Sequence, residues 1–257
     1  MLDQHTISLL RQLADRYETP HFLHGDPSWF MHQVNGSLNQ ETMAFLASCL
    51  SYGSRKQFIP KIQMLLDFAR GDVYEWVKSG SFNADIPPSS QCFYRLYNYE
   101  KMNHFLAILS DILSEYGSIG EFAQRAIYNK VDGKSDVVLV LEALGGWFAD
   151  RGMKGIVPKP FTSLCKRPVM FMRWMVRDKS PVDLGLWADF IDKRNLYIPM
   201  DTHVVQMSQR IGLLPPSAPS WKSVELLRQT MLQAFADDPA KGDFALFGYD
   251  VDNNSKQ

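Results

Sequence analysis

The segment Lys166–Arg177 constrains the fold more than any other stretch of the chain. At about 100° per residue, Lys166, Met170, Arg173 and Arg177 fall within about 60° of one another on a helical wheel. Val169, Phe171, Met172, Trp174, Met175 and Val176 take nearly every other direction. Such a helix has to be enclosed on most of its circumference, so other elements must pack around it. Its one cationic stripe faces something wet or acidic. Either the cations snorkel outward or pair with Asp and Glu, or they wall a cleft suited to phosphates. In the second case, like-charge repulsion favours the neutral amine of Lys166. Pro168 fits the first turn of this helix but not its interior.

Apolar residues recur at helical spacing through most of the remaining chain, and the pattern predicts an all-α fold. Asn39 is a candidate cap for a helix over residues 41–52, whose Phe45, Leu46, Cys49 and Leu50 share a face. A helix over 54–70 is interrupted or kinked at Pro60, and one over 72–78 is closed by Gly80. Residues 81–91 hold two prolines and three serines and read as a loop. A strong helix over 100–116 carries Phe105, Ile108, Leu109, Ile112 and Leu113 on one face, with Gly117 as its stop. The glycines and prolines of 145–160 mark the main break in the chain. Beyond it the pattern predicts helices near 161–177, 182–191, 202–211, 221–236 and 239–248. Asp26-Pro27 and Asp238-Pro239 each supply a cap followed by proline at the first helical position. No alternating strand pairs, hairpin signals or repeats are visible.

Composition excludes some classes. The chain has 257 residues, 46% hydrophobic and 21% charged, which is ordinary for a globular protein. Its net charge of −1 lacks the basic excess usual in nucleic-acid binders, so any grip on phosphate must come from a local patch. No apolar run is long enough for a membrane span, and the first residues lack the order of a signal peptide. Cys49, Cys92 and Cys165 are odd in number with no metal-ligand spacing, which leads us to expect a reducing cytoplasm, no metal and no cofactor.

The most informative functional stretch is Ile198-Pro199-Met200-Asp201-Thr202-His203-Val204. Asp201 stands where a new helix begins, and Asp is a preferred N-cap. Its plain role is that cap. Its other role is chemical, since a lysine and a helix-mouth carboxylate in one cleft are the parts of a lyase. Lys166, in Cys165-Lys166-Arg167-Pro168, heads the enclosed helix described above.

The order of glycine/proline loop, lysine-headed helix, connector and Asp201 segment, followed by Arg210, resembles the helix-hairpin-helix DNA glycosylase superfamily. The spacing is most similar to that of the archaeal 8-oxoguanine glycosylases. Over most of its length the chain also resembles a family of bacterial proteins carrying a domain of unknown function. That resemblance rests on Asp26-Pro27, Ser51-Tyr52-Gly53, Cys165-Lys166-Arg167, Met170–Arg177, the Asp201 segment and Asp243–Gly248.

The glycosylase resemblance implies a two-lobed helical fold with a cleft between lobes. Residues 36–178 would form a central lobe, and residues 1–35 with 179–249 a second one. Residues 250–257 would be a flexible tail. It implies base excision from damaged DNA by a monomer, with a flipped-out base entering a pocket. Asp201 would stabilise an oxocarbenium-like sugar, and Lys166 would attack C1′ and form a Schiff base. Arg173, Arg177 and Lys154 would contact phosphate, Trp147 and Trp174 would sandwich the base, and His203 would lie against the substrate. The usual Leu-Pro-Gly-Val/Ile-Gly hairpin is replaced by Phe161-Thr162-Ser163-Leu164-Cys165, and the nearest glycines are Gly152 and Gly155. The alternatives are a silent nucleic-acid or nucleoside binder of the same fold, and a structural scaffold.

Other polar residues suggest less. Cys165 is a candidate nucleophile without a neighbouring His or acid, and buried inert cysteine is commoner. His21, His24 and His32 lack a recognisable ligand frame. Lys241 and Asp243 read as a surface pair.

Overall fold

The computed structural model describes residues 1–129 and 133–254. It is mostly helical, as the apolar period predicts. In chain order the helices are α1 (Gln4–Tyr17), α2 (Ser37–Leu50), α3 (Arg55–Ala69), α4 (Val73–Lys78) and α5 (Phe82–Asp85). A short hairpin of β1 (Cys92–Tyr94) and β2 (Tyr97–Asn98) follows, then α6 (Tyr99–Tyr116), α7 (Ile119–Tyr128) and α8 (Asp136–Asp150). The last four are α9 (Lys166–Val176), α10 (Thr202–Arg210), α11 (Trp221–Leu232) and α12 (Gly242–Asn254). Short 3-10 turns lie at Pro20–Leu23, Pro27–His32, Lys193–Asn195 and Pro239–Lys241.

The chain divides into two compact units. One comprises residues 1–24, 135–137 and 159–257; the other comprises 25–134 and 138–158. Residues 159–178, expected with a central lobe, group instead with the terminal segments. We call these the terminal and the central unit.

In the central unit α2 is the enclosed element: every residue from Glu41 to Leu50 is buried. Glu41 is an acid in this apolar setting, and its carboxylate accepts the backbone N–H groups of Ile119 at 2.8 Å and Gly120 at 2.9 Å. Those are unpaired donors of the first turn of α7, where the helix dipole also favours an anion. Ser118 caps the same turn by accepting from Glu121 N–H. Phe45, Phe105 and Phe148 from α2, α6 and α8 meet with ring centroids 5.3–6.2 Å apart.

The terminal unit is built around α9. Nine of its eleven residues, Pro168 to Val176, are buried. Phe171 meets Trp187 edge to face at 5.2 Å. Around it α1 and α12 lie together: Tyr17 packs on Phe247, and a Cβ at Gly248 would collide with the Tyr17 ring.

Several expected boundaries differ. The helix expected near 161 starts only at Lys166, because Pro168 is tolerated in a first turn and Cys165 sits left-handed at φ 54°. No helix forms over 182–191. There Gly185 takes φ +66° beside Asp178, and N–H groups of Leu184, Gly185 and Trp187 turn back to the carbonyls of Trp174 and Met175. They satisfy acceptors that α9 leaves open at its C-terminus. Gly145 and Gly146 do not break the chain; they lie inside α8, where Val137, Val140, Leu141, Leu144 and Phe148 are buried at helical spacing. The turn begins at Gly152 (φ +83°).

Helix α3 continues through Pro60. Asn39 is no cap: α2 begins at Ser37, and the Asn39 amide accepts Tyr74 N–H and donates to Asn35 O. The hairpin was invisible in sequence because two to three residues per strand are too few for an alternation to register. Helix α12 extends to Asn254, so residues 250–254 are helical, while 255–257 lie outside the described residues. No helix among the described residues is long and apolar enough to cross a membrane.

Removing the Glu41 carboxylate leaves two enclosed N–H groups without their acceptor. Glu41→Ala is therefore expected to destabilise the protein by about 2–4 kcal/mol. Urea unfolding followed by circular dichroism measures it, and a loss under about 1 kcal/mol would refute the capping role.

Candidate active site

Lys166 and Asp201 come together. Lys166 is the first residue of α9 and Asp201 the N-cap of α10, and Lys166 Nζ lies 2.6 Å from Asp201 Oδ2. The other carboxylate oxygen accepts Val204 N–H at 2.9 Å, so the expected cap is present as well. One carboxyl group thus caps α10 and pairs with Lys166 at the same time. Both side chains remain reachable from solvent, with 38% of Lys166 and 39% of Asp201 exposed.

Local chemistry positions the pair. Cys165 bends the chain into α9, its N–H bound to Ser163 Oγ at 3.1 Å, and this directs Lys166 out of the enclosed part of the helix. Met200, just before Asp201, is fully buried and anchors the other side. Burial pushes the Asp201 carboxyl up. The charge and hydrogen bond of Lys166, the Val204 N–H and nearby His203 outweigh that and hold it below the usual carboxylate range.

Arg173 and Arg177 do not wall a cleft. Each is 2% exposed, and the acidic surroundings that the stripe required are supplied inside the terminal unit. Arg173 binds Asp183 at 3.2 Å and also Asp243. Arg177 binds Asp183, Asp238 at 2.8 Å and Glu18 at 2.8 Å. The Phe244 ring lies 4.7 Å from the Arg173 guanidinium carbon and 5.2 Å from that of Arg177. Burial alone would push the Arg177 guanidinium down, yet Asp183, Asp238 and Glu18 hold it above its ordinary value. Two cations so enclosed by carboxylates are neutralised, which removes the expected repulsion of Lys166. The sequence pattern did not reveal the partners Glu18, Asp183 and Asp238; the only signal for Asp243 was its place in the Asp243–Gly248 segment.

The remaining candidates are scattered. Trp174 is fully buried in the core of the terminal unit. Trp147 and Lys154 belong to the central unit. There Trp147 donates Nε1–H to Ile108 O and carries the Arg151 guanidinium 3.4 Å above its ring, while Lys154 is exposed. His203 is exposed beside the pair, with Nε2 3.1 Å from Asp250. Lys241 and Asp243 do not pair with each other: Lys241 binds Asp15 at 2.7 Å, and Asp243 binds Arg173. Asp238 caps nothing with its side chain, because Arg177 occupies it.

Cys165 is enclosed, 1% exposed, and burial pushes its thiol up to about 12 against a weaker opposing pull from Arg167, which disfavours the thiolate a nucleophile needs. A cavity of about 470 Å³ in the terminal unit is lined by Asp136, Asp178, Asp189, Asp192 and Lys193, with none of the expected site residues. Among the described residues no His/Cys/Asp/Glu cluster could hold a metal ion.

The family of the chain is now in view. Residues 26–252 match the family described as "Protein of unknown function (DUF2400)". The chain belongs to that family. No curated protein and no solved structure matches it. The match includes Lys166, Asp201 and the carboxylates at 183, 238 and 243.

Two outcomes follow for the buried groups. Asp183→Asn leaves two enclosed guanidiniums short of charge and is expected to cost about 3–5 kcal/mol in urea unfolding. In native protein a thiol reagent should label Cys92, which is exposed, while Cys49 and Cys165 react only on unfolding. Peptide mapping reads this out, and rapid labelling of Cys165 would contradict its enclosure.

Proposed function

We propose that the protein is a DNA base-excision glycosylase with lyase activity, acting through Lys166 and Asp201. The single observation that carries this reading is the contact between an amine and a carboxylate that both stay open to solvent, 2.6 Å apart. On this reading an amine and a carboxylate would both lie within reach of one sugar bound beside them. The Lys166 amine must lose its proton to attack, and solvent, which reaches both side chains, would take it while Asp201 stays ionised. The nitrogen lone pair of Lys166 would then form a bond to C1′ as the glycosidic bond breaks, and the bonding electrons leave with the base, which takes up a proton. Opening of the sugar ring gives the Schiff base. Asp201 also offers negative charge beside the developing oxocarbenium.

Arg173 and Arg177 have no part in this reading, because carboxylates occupy them. A phosphate grip must come from elsewhere on the chain.

A second reading has an observation of its own. Asp201 accepts Val204 N–H, so the pair is also suited to clamp the starts of α9 and α10 in a scaffold with no catalysis. The two readings separate by experiment. Sodium borohydride should trap a covalent adduct between wild-type protein and DNA carrying an oxidised base. Lys166→Gln should abolish it, Cys165→Ser should keep it, and Asp201→Asn should slow it about 10²–10³-fold. Absence of an adduct from the wild type on every lesion tested would overturn the lyase reading and leave the clamp.

The pH dependence has a definite sign. The Asp201 carboxyl is lowered from 3.8, so the pair's contribution to stability is complete above that value. It is lost as pH falls through the lower folded value. Comparing acid unfolding of wild type and Asp201→Asn should show a difference that vanishes at the acid end, reduced in size by solvent screening of the half-exposed pair. A difference that grows as pH falls would contradict the assignment.

A further inference from the structure

The hairpin of the central unit carries a large apolar side chain where a turn residue is expected. Leu96 is 77% exposed at the tip between β1 and β2. Its neighbour Arg95 holds the left-handed conformation at φ 51°, a hairpin position that Gly or Asn usually fills. A non-glycine residue is strained there, so the arginine carries some cost in stability.

The surroundings hold that arginine in place. Gly53 has φ +82°, and a Cβ on it would collide with the Arg95 guanidinium. The guanidinium carbon lies 5.5 Å over the Tyr52 ring, and the Tyr94 hydroxyl donates to the Tyr52 carbonyl. The Ser51-Tyr52-Gly53 segment, for which the catalytic pair has no use, thereby becomes the seat of the hairpin.

The two segments that form the hairpin and its seat are rich in cations. Residues 51–61 and 92–101 contain Arg55, Lys56, Lys61, Arg95 and Lys101 against one acid, Glu100, in a chain whose net charge is −1. Lys101 Nζ lies 3.5 Å from the Leu96 carbonyl, and Lys61 Nζ is 5.1 Å over the Phe93 ring. Arg55 is paired with Asp26 at 3.5 Å, whereas Lys56 at the start of α3 is exposed.

We propose that the β1–β2 hairpin and the start of α3 form a nucleic-acid docking surface, in which Arg95, Lys101, Lys56 and Lys61 meet backbone phosphates and Leu96 wedges against a base. Phosphate contacts supply the affinity and an apolar wedge exploits the stacked faces of the bases. One exposed leucine offers too little apolar area to hold a lipid surface. The local cationic excess resolves how a chain with no overall basic charge could hold a polyanion. The inference takes DNA as the polyanion from the reading above, but it does not depend on Lys166.

Fluorescence anisotropy of a short labelled duplex, and of its separated strand, tests this across a series of salt concentrations. The triple variant Lys56→Gln/Arg95→Asn/Lys101→Gln should bind DNA about tenfold or more weaker, with the salt slope reduced by about 2–3. Leu96→Ser should weaken duplex binding while keeping the slope. Lys222→Gln, an exposed lysine of the terminal unit, should bind as wild type. Asn accepts the left-handed conformation, and the other changes are at exposed side chains, so the thermal midpoints should stay together.

Wild-type affinity and slope in the triple variant would overturn the proposal, as would a wild type that binds no DNA or prefers anionic vesicles. The two readings fail separately. Trapped adducts with hairpin-independent binding leave the glycosylase and remove this surface. Hairpin-dependent binding without any adduct does the reverse.

Discussion

Two guanidiniums inside the terminal unit determine how that unit is assembled. Arg173 and Arg177 lie on a helix that is otherwise apolar, and neither can be buried without opposing charge. Their partners come from three places: Glu18 just after α1, Asp183 in the loop after α9, and Asp238 and Asp243 at the start of α12. Segments far apart in sequence are thus drawn to one helix. A buried network of this kind adds little net stability over a well-packed apolar core, but removing one partner leaves an uncompensated buried charge. Phe244 also lies beside both guanidiniums.

With those arginines committed to the core, the chemistry available to α9 lies at its first residue. A cation in the first turn opposes the helix dipole, and Asp201 offsets that opposition from the start of a neighbouring helix, where a carboxylate is favoured. The pair is therefore electrostatically reasonable as a clamp and as a reactive unit. Its exposure to solvent separates it from the arginine network a few turns along the same helix.

Much of the fold was legible in the sequence. The face of α6, the stop at Gly117 and the Asp201 cap are local features, set by residues within a turn of one another, and the structure has them where the pattern predicts. What failed were places where a local rule met a tertiary demand. Gly145 and Gly146 should weaken a helix, but the buried face of α8 runs through them. The apolar run after Pro181 should be helical, but its N–H groups were needed to close α9. The hairpin at Tyr94–Tyr97 was too short to leave a periodic trace.

The sequence by itself determined that α9 would be enclosed, that its cations needed either water or acids, and that Asp201 would open a helix. Each follows from side-chain type and a 100° step, which need no knowledge of the rest of the chain. Only the tertiary structure decided that acids, not solvent, receive Arg173 and Arg177, and that Lys166 reaches Asp201. The partners of a charge are set by which distant segments pack beside it, and no local spacing encodes that. The same wheel that put Lys166, Arg173 and Arg177 on one stripe could not show that the stripe divides, its first residue open to solvent and the others sealed among carboxylates.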